Sequence, residues 1–309
     1  MNLAIIGATG NVGRKTIEVL EKSEIEIENL YLVASKKSAG KKLKFKNKDI
    51  IIEELEKYDF SKAKFTIFAA GSEIAKTWAP SAAKKTIVID NSKYFRMNDE
   101  VPLVVAEVNP NDLKNHKNII SNPNCSTIQL MLPLKPLHDK YRIKRVIVST
   151  YQAVSGAGKA SVDELFSQTK DYLNEKNIVS KNFSKQMAFN LIPHIDVFVE
   201  DGYTKEEWKM ENETKKILDK SIGLSATFNS VKQILSNAPG CKVIDDHKDG
   251  GYITPLEAEG EYLTYISRIR KDHSNKKALN IWVVADNLLK GAALNTVQIV
   301  ECLVNDTKK

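Results

Sequence analysis

The sequence has few histidines and cysteines and no long apolar run. It has five histidines and three cysteines in 309 residues. Cys125, Cys241 and Cys302 are odd in number and far apart, which excludes a disulfide framework and the usual zinc spacings. No apolar run approaches the ~20 residues of a membrane-spanning helix, and the first residues read as a strand, not a signal peptide. We therefore predict a reduced, cytoplasmic protein that has no metal and no membrane partner.

The charge balance gives no basic stripe either. The 46 Lys and Arg residues are scattered among 39 Asp and Glu residues, for a net charge of +7. No basic segment is interleaved with aromatic residues, so we expect no nucleic-acid partner. Local basic spots suit a phosphorylated small molecule instead. The length and the 42% hydrophobic content are sufficient for two domains with a substantial core.

Strand and helix patterns alternate through the first half of the chain. Buried strands separated by helical periodicity predict a doubly wound parallel sheet. The predicted strands are 3–7, 29–35, 63–72, 86–92 and 101–109, and the predicted helices are 11–23 and 73–84. Beyond about residue 144 the pattern predicts a long strand over 144–158, a helix over 159–175, strands over 262–272 and 279–286, and a final helix over 287–304.

A glycine-rich turn, "GATGNVG", directly follows the first strand and opens the first helix. Glycines in this context permit a tight turn and let a pyrophosphate approach the helix N-terminus. An ordinary glycine turn is the alternative; the strand–turn–helix context favours a dinucleotide site. The predicted cofactor-binding residues of this turn are Gly7, Thr9, Gly10, Asn11, Val12 and Gly13.

The end of the second strand indicates which dinucleotide is bound. NAD-preferring sites usually have an Asp or Glu there to hold the ribose hydroxyls. Here the strand runs into "ASKKSAGKK", with no acid before Asp49. Ser35, Lys37 and Ser38 are suited to a 2′-phosphate, so we predict NADP over NAD.

The stretch "SNPNCST" (121–127) places Cys125 between a turn and an apolar helix. The unpaired N–H groups of a helix start favour a thiolate, and Ser126 and Thr127 are candidates for capping that helix. A buried filler cysteine more typically lies within an apolar run, as Cys302 does. A nucleophilic cysteine together with a nicotinamide cofactor implies acyl chemistry through a thiohemiacetal and a thioester.

With these motifs the sequence resembles the aspartate-semialdehyde dehydrogenase family almost end to end. The resemblance is carried by "GATGNVG", "FAAGSE", "VIDNSKYFRM", "VPLVVAEVN", "SNPNCST", "STYQAVSGAG", "EEWKMENETKKIL" and "VVADNLLKGAALNTVQ". It implies NADPH-dependent reductive dephosphorylation of aspartyl 4-phosphate to aspartate semialdehyde, on the route to lysine, threonine and methionine. It also implies a homodimer or homotetramer formed through the second domain.

The resemblance assigns roles to individual residues. It implies that Cys125 is the acyl-thioester nucleophile and that Gln152 orients the substrate. The implied phosphate-binding residues are Arg96, Lys209 and Asn124, and Glu206 receives the substrate amino group; Ser155, Gly156 and Asn287 line the nicotinamide side. Glu206 and Lys209 at i, i+3 on one helix face can reach one ligand, although such a spacing alone equally suits a surface salt bridge of little energy.

The predicted fold class is therefore α/β, with an N-terminal Rossmann-type doubly wound parallel sheet and a second α+β substrate and dimerisation domain. We expect residues 1–127 and about 287–309 to form the NADP-binding domain and residues 128–286 to form the second domain.

In one place the sequence departs from the family pattern. A strand with a carboxylate-binding Arg, and a loop with a general acid/base His, have no counterpart near 227–229. His116, His138, His247 and His273 lie in unlike surroundings, and His194 matches the family elsewhere. Loss of an acid/base costs ~10²–10⁴ in rate, so we expect impaired turnover. The alternatives are a relative acting on another acyl phosphate, and an inactive NADP-binding or oligomeric partner protein.

Overall fold

The computed structural model describes residues 1–192, 195–199, 204–218, 228–246, 248, 251–272 and 278–306. No helix in these ranges is both long and apolar enough to cross a membrane.

The N-terminal part is built on a six-stranded parallel sheet. Its order is β5-β2-β1-β6-β7-β8, and every neighbouring pair is parallel. Its strands are β1 Asn2–Ile6, β2 Asn29–Ala34, β5 Glu53–Glu54, β6 Phe65–Phe68, β7 Ile87–Asp90 and β8 Ile119–Ser121. A separate hairpin pairs β3 Lys42–Phe45 with β4 Lys48–Ile51.

Apolar residues on both faces of these strands account for the layered architecture. β1 lies in the middle of the sheet and pairs Leu3 with both Leu30 and Phe65, all of which are buried. Such strands need cover on both sides, which the crossover helices provide. Helix α1 Asn11–Lys22 and helix α2 Ser72–Ala82 follow β1 and β6. The predicted α/β class is confirmed.

The strand predicted over 101–109 is wrong. Its apolar residues are buried, but it makes only one bridge, between Leu103 and Ser121. The side chain of Asn109 accepts from the Val105 amide at 2.9 Å and donates to the Leu103 carbonyl at 2.9 Å. These local side-chain bonds fold the segment back on itself and use groups that a ladder would need.

The C-terminal part combines a small sheet with helices. Strands β9 Cys241–Val243, β10 Thr264–Lys271 and β11 Leu279–Val284 pair in the order β11-β10-β9. The helices are α3 Cys125–Tyr141, α4 Lys159–Leu173, α5 Lys205–Leu218 and α6 Phe228–Ser236. A π-helical turn Leu289–Ala293 leads into α7 Leu294–Asp306, and α7 packs against α1 under the first sheet.

The strand predicted over 144–158 is also wrong. Residues 142–153 form neither helix nor strand, and a 3₁₀ turn follows at Val154–Ala157. Ile147 is 81% exposed and Tyr151 is 75% exposed. A lone strand cannot satisfy its N–H and C=O groups without a neighbour, and none of the described residues pairs with this segment.

The strand and histidine loop of the family were predicted to be absent near 227–229. This prediction falls at the edge of residues 219–227, which lie outside the described ranges. α6 begins directly after them, at Phe228. The domain boundaries at 127/128 and 286/287 stay a prediction.

Candidate active site

Cys125 is the first residue of α3. The helix is preceded by Asn124, which ends the turn after β8. The thiol is half-buried, and its sulfur lies 3.7 Å from Asn124 Oδ1. Gly291 of the π-helical turn closes the other side, since a Cβ at that position would lie 2.8 Å from the Cβ of Cys125. Two segments far apart in sequence therefore fix the thiol.

Glu206, near the start of α5, joins the predicted residues. Its Oε1 accepts from Asn124 Nδ2 at 2.7 Å and from Gln152 Nε2 at 3.1 Å. Its Oε2 accepts from Lys209 Nζ at 3.0 Å. Burial would raise the pKa of Glu206, but the bonds from Asn124 and Gln152 and the charge of Lys209 outweigh it and lower the pKa. Glu206 is thus held as a carboxylate beside the thiol.

Lys209 is not part of an exposed surface pair. It is 9% exposed, and its ammonium also donates to Asp196 Oδ2 at 2.8 Å. Asp196 Oδ2 also accepts a hydrogen bond from Lys93 Nζ at 2.9 Å. Burial would lower the pKa of Lys209, but Asp196 and Glu206 outweigh it and raise the pKa. A permanently cationic amine therefore lies one helical turn from Glu206.

Arg96 is linked to Asn124 through a carboxylate that the sequence did not reveal. Glu213 is 1% exposed; it accepts from Arg96 Nη1 at 3.1 Å and from the Asn124 amide at 2.7 Å. Arg96 Nη2 donates to the Asn91 carbonyl at 3.0 Å. Its Nε is buried and has no partner among the described residues. The guanidinium charge of Arg96 nevertheless acts on the Cys125 thiol, where it opposes the rise in pKa that burial causes.

The pKa of Cys125 departs from the expectation that a helix start lowers it. Burial raises the pKa, and the Glu206 carboxylate adds to the effect; Arg96 and Ser126 oppose it without reversing it. The helix also has no side-chain cap, and Thr127 Oγ1 is buried without a partner in the described part of the chain. The expected capping by Ser126 and Thr127 is therefore wrong. The raised pKa of Cys125 favours the neutral thiol in the ligand-free chain.

The glycine turn after β1 forms a cradle with no room for side chains. A Cβ at position 13 would lie 2.3 Å from the Gly7 carbonyl oxygen, and Gly7 has a φ of +84°. Gly10 precedes α1, whose first turn has no side-chain cap. The leading N–H groups of α1, from Asn11, Val12 and Gly13, are thus available to a diphosphate. Thr9 borders the cradle, its carbonyl accepting from Arg14 Nε at 3.1 Å.

The remaining predicted cofactor residues form two groups. Ser35, Lys37 and Ser38 lie in the turn after β2, where the Ser38 amide donates to the Ser35 carbonyl at 2.8 Å. Ser155 donates to Asn287 Oδ1 at 3.2 Å, and Gly156 lies beside the same amide. The second group lines one cavity together with Cys125 and Gln152. No hydrogen bond among the described residues joins the first group to it.

Sequence reasoning missed a buried ion pair formed by the π-helical turn that contains Gly291. Lys290, which precedes Gly291, is fully buried; its Nζ donates to Glu107 Oε2 at 2.5 Å and to Gln298 Oε1 at 2.7 Å. Burial lowers the pKa of Lys290, against the opposing charge of Glu107. A charged residue inside each of two apolar motifs, "LVVAEVN" and "NLLKGAAL", was the available signal.

The described histidines do not provide a proton-transfer group for the thiol. His116 accepts from the Asn118 amide at 3.1 Å, and His138 is 2% exposed with neither ring nitrogen bonded within the described residues. Neither bonds to Cys125. His194, His247 and His273 lie outside the described residues.

The chain matches known proteins along nearly its full length. A family model described as semialdehyde dehydrogenase, NAD binding domain, matches residues 2–116. A second, described as semialdehyde dehydrogenase, dimerisation domain, matches residues 134–231 and 225–290. Aspartate-semialdehyde dehydrogenase from Aquifex aeolicus is 46% identical, over 98% of this chain and 98% of its own. The protein of that name from Bacillus subtilis is 42% identical, with 98% and 97% coverage.

Solved structures agree with these matches. Aspartate semialdehyde dehydrogenase II from Vibrio cholerae superposes with a TM-score of 0.95 at 41% identity, covering 99% of this chain and 98% of that one. A second structure of the same protein, complexed with ASA, gives the same values. The predicted resemblance is confirmed: this chain belongs to the aspartate-semialdehyde dehydrogenase family.

Proposed function

We propose that the protein is an NADP-dependent aspartate-semialdehyde dehydrogenase that converts aspartyl 4-phosphate into aspartate semialdehyde and phosphate through an acyl-thioester on Cys125. The observation that carries this proposal is the convergence of Cys125, Asn124, Gln152, Glu206 and Lys209 around the start of α3. The relatives named above carry this enzyme name, and nothing in the comparisons supports the inactive alternative.

The chemistry follows from the residues. The Cys125 sulfur attacks the acyl carbon of the substrate, the C–O bond to phosphate breaks, and a thioester forms. Arg96 and Lys209 offer cationic donors for the phosphate, and Asn124 adds an amide. Glu206 offers a carboxylate for the substrate ammonium group, and Gln152 bonds to that carboxylate and fixes its orientation.

A bound nicotinamide cofactor would supply the hydride for reduction of the thioester. Residues of the glycine turn would hold its diphosphate, and Ser35, Lys37 and Ser38 would hold a 2′-phosphate. Ser155, Gly156 and Asn287 share a cavity with Cys125, which supports their assignment to the nicotinamide side. Hydride addition would convert the thioester into a thiohemiacetal on Cys125, and cleavage of its C–S bond would release the aldehyde and leave Cys125 as a free thiolate.

The raised pKa of Cys125 gives the bound ligands a role. In the ligand-free chain the Glu206 carboxylate is bonded to Lys209 and still raises the pKa of Cys125. A substrate ammonium group on Glu206 would neutralise that carboxylate and remove its effect on the sulfur. Burial, the larger cause of the raised pKa, remains, so we infer that substrate binding lowers the pKa of the Cys125 thiol by removing the smaller cause. We also infer a homodimer or homotetramer in the cytoplasm; the matched dimerisation domain supports an oligomer.

The test is a steady-state assay of phosphate-dependent NADPH formation from aspartate semialdehyde, with Cys125→Ser as the matched control. We expect activity that the variant lacks, and a smaller dissociation constant for NADPH than for NADH. Activity retained by Cys125→Ser would overturn the thioester route. A turnover near the ~10 s⁻¹ enzyme median would instead contradict the predicted impairment.

A further inference from the structure

Two lysines at the candidate active site share one carboxylate oxygen. Asp196 Oδ2 accepts from Lys93 Nζ at 2.9 Å and from Lys209 Nζ at 2.8 Å. Lys209 Nζ also donates to Glu206 Oε2 at 3.0 Å, which joins this contact to the residues around Cys125. Ammonium groups bind phosphate oxygens through the same short, charge-assisted hydrogen bonds. Asp196 Oδ2 therefore occupies a position that suits an oxygen of an external anion.

Lys93 lies on the same segment as Arg96. Both follow β7, three positions apart in "NSKYFR". The family resemblance assigns Arg96 and Lys209 to the phosphate and assigns no role to Lys93. In the structure the Lys93 ammonium contacts the same oxygen as Lys209, and its side chain is 43% exposed. A flexible, partly exposed ammonium of this kind can follow an anion into the site.

Each of these three cations is paired with a carboxylate in the ligand-free chain. The pairs are Lys93 with Asp196, Lys209 with Asp196 and Glu206, and Arg96 with Glu213. Three cations thus face three carboxylates. A phosphate dianion that enters such a group meets as much negative charge as positive charge. Its binding therefore becomes favourable when one carboxylate gives way.

Asp196 is the least buried of the three carboxylates. The side chain of Glu213 is 1% exposed, that of Glu206 is 9% exposed and that of Asp196 is 19% exposed. Glu213 also accepts from a main-chain amide and Glu206 from two side-chain amides of other segments, whereas the second oxygen of Asp196 accepts from the adjacent Val197 amide at 3.0 Å. Rotation of the Asp196 side chain would free both lysines and leave α5 in place.

Asp196 is held as a full negative charge by the two lysines. Burial would raise the pKa of Asp196, but the hydrogen bonds from Lys209 and Lys93 outweigh it and lower the pKa. The residue lies outside helix and strand and has a φ of +67°, a left-handed conformation that Asp adopts more readily than most residues. An anion therefore already stands between the two ammonium groups.

We propose that Lys93 is a third phosphate-binding cation and that Asp196 is an internal counter-ion, which holds the phosphate position between Lys93 and Lys209 until phosphate displaces it. The inference rests on the proposed function, which brings a phosphate group to Arg96 and Lys209. Displacement of the Asp196 carboxylate offsets part of the gain from binding phosphate. Asp196 thus weakens phosphate binding and favours release of phosphate once the thioester has formed.

The probe is inorganic phosphate, titrated into the full chain by isothermal calorimetry at constant ionic strength. Asp196→Asn keeps the shape of the side chain and removes its charge. We expect the dissociation constant of phosphate to fall at least about fivefold, because phosphate no longer competes with a carboxylate for the two ammonium groups. The matched control is Asp163→Asn, which removes the same charge from an exposed pair with Lys159 on α4. The control should leave phosphate binding unchanged.

Lys93→Gln tests the third cation in the opposite direction. We expect the dissociation constant of phosphate to rise at least about fivefold, because one ammonium contact is lost. Lys159→Gln is its matched control and should leave phosphate binding unchanged, since Lys159 belongs to the exposed pair on α4. Urea unfolding at pH 7 checks that all four variants are folded.

Steady-state kinetics separate phosphate affinity from the chemical step. In phosphate-dependent NADPH formation from aspartate semialdehyde, Asp196→Asn should lower the KM for phosphate by a larger factor than it changes kcat. A merely structural role of Asp196 would lower kcat and would not tighten phosphate binding.

Three results would overturn the inference. They are phosphate binding that Asp196→Asn weakens or leaves unchanged, phosphate binding that Lys93→Gln leaves unchanged, and no phosphate binding by either the wild type or Asp196→Asn. Weaker binding by Asp196→Asn would mean that Asp196 orients the lysines and does not compete with phosphate. The expected calorimetric shifts in a chain that forms no NADPH would uphold the inference and count against the proposed function alone.

Discussion

The buried ion pair between Glu107 and Lys290 predicts a large loss of stability from a small change. Glu107→Gln keeps the shape of the side chain but leaves the Lys290 ammonium without a counter-charge. Lys290 is fully buried, so water cannot replace the lost carboxylate. Breaking a buried pair by removing one partner costs ~3–5 kcal/mol. Lys290 keeps acceptors on Gln298 at 2.7 Å and Asn295 at 3.3 Å, so we expect the lower end, about 3 kcal/mol.

The assay is urea unfolding followed by tryptophan fluorescence, with Glu100→Gln as the matched control. Glu100 pairs with Lys117 at 2.5 Å, but the two side chains are 68% and 69% exposed. Exposed pairs contribute ~0–1 kcal/mol. With a slope of roughly 3 kcal/mol/M, Glu107→Gln should lower the midpoint by about 1 M and the control should barely move it. Equal urea midpoints for Glu107→Gln and Glu100→Gln would refute the reasoning, because the buried pair would then stabilise the fold no more than the exposed pair does.

Three further changes test the geometry of the two sites. Gly13→Ala places a Cβ 2.3 Å from the Gly7 oxygen; we expect the dissociation constant of NADPH to rise at least about tenfold, and unchanged binding would contradict the cradle. Gly291→Ala places a Cβ 2.8 Å from that of Cys125. We expect slower alkylation of Cys125 by iodoacetamide and a loss of ~1–3 kcal/mol in the free energy of unfolding. Alkylation at the wild-type rate would exclude the contact. Glu206→Gln removes a carboxylate that raises the pKa of Cys125; alkylation of the ligand-free protein at pH 7 should accelerate, and a slower rate would reverse the assigned sign.

Four of the six strands of the first sheet, β1, β2, β6 and β7, could be predicted from the sequence because they carry their own signal. β1 is an unbroken apolar run followed by the glycine turn, so both its burial and its position are encoded locally. Residues 101–109 carry the same apolar signal, but the side chain of Asn109 captures the backbone groups that a ladder would use. Burial was thus predictable there, and pairing was not.

In the second sheet, β10 and β11 were predicted correctly, whereas the strand expected over 144–158 does not form, because strand formation also depends on neighbours distant in sequence. Residues 144–158 have the composition of a strand, yet a strand forms only where a partner edge is available. The same limitation applies to the site. Cys125 and its turn stand out locally, whereas Glu213 and Lys290 act through contacts that the fold brings together. The only signal for Glu213 and Lys290 in the sequence was a charged residue within a helical or an apolar motif.

The electrostatics of Glu206 also predict how stability depends on pH. Burial opposes its ionisation, but the bonds from Asn124 and Gln152 and the charge of Lys209 lower its pKa below the ordinary value. A carboxylate with a lowered folded-state pKa stabilises the protein above its unfolded-state pKa, near ~4.3, and loses that contribution as the pH falls through the folded-state pKa.

Glu206→Gln should therefore be less stable than the wild type at pH 7, and the difference should narrow as the pH falls below ~4. Urea midpoints at pH 7, 5, 4 and 3 measure it. The control is Glu211→Gln on the same helix, where an exposed pair with Lys215 contributes little. A gap between wild type and Glu206→Gln that stays constant with pH would mean that shape, and not the charge of Glu206, stabilises the cluster. Lys209 would then depend on Asp196 as its counter-ion, and the carboxylate beside Cys125 would be available to a substrate ammonium group at little cost to the fold.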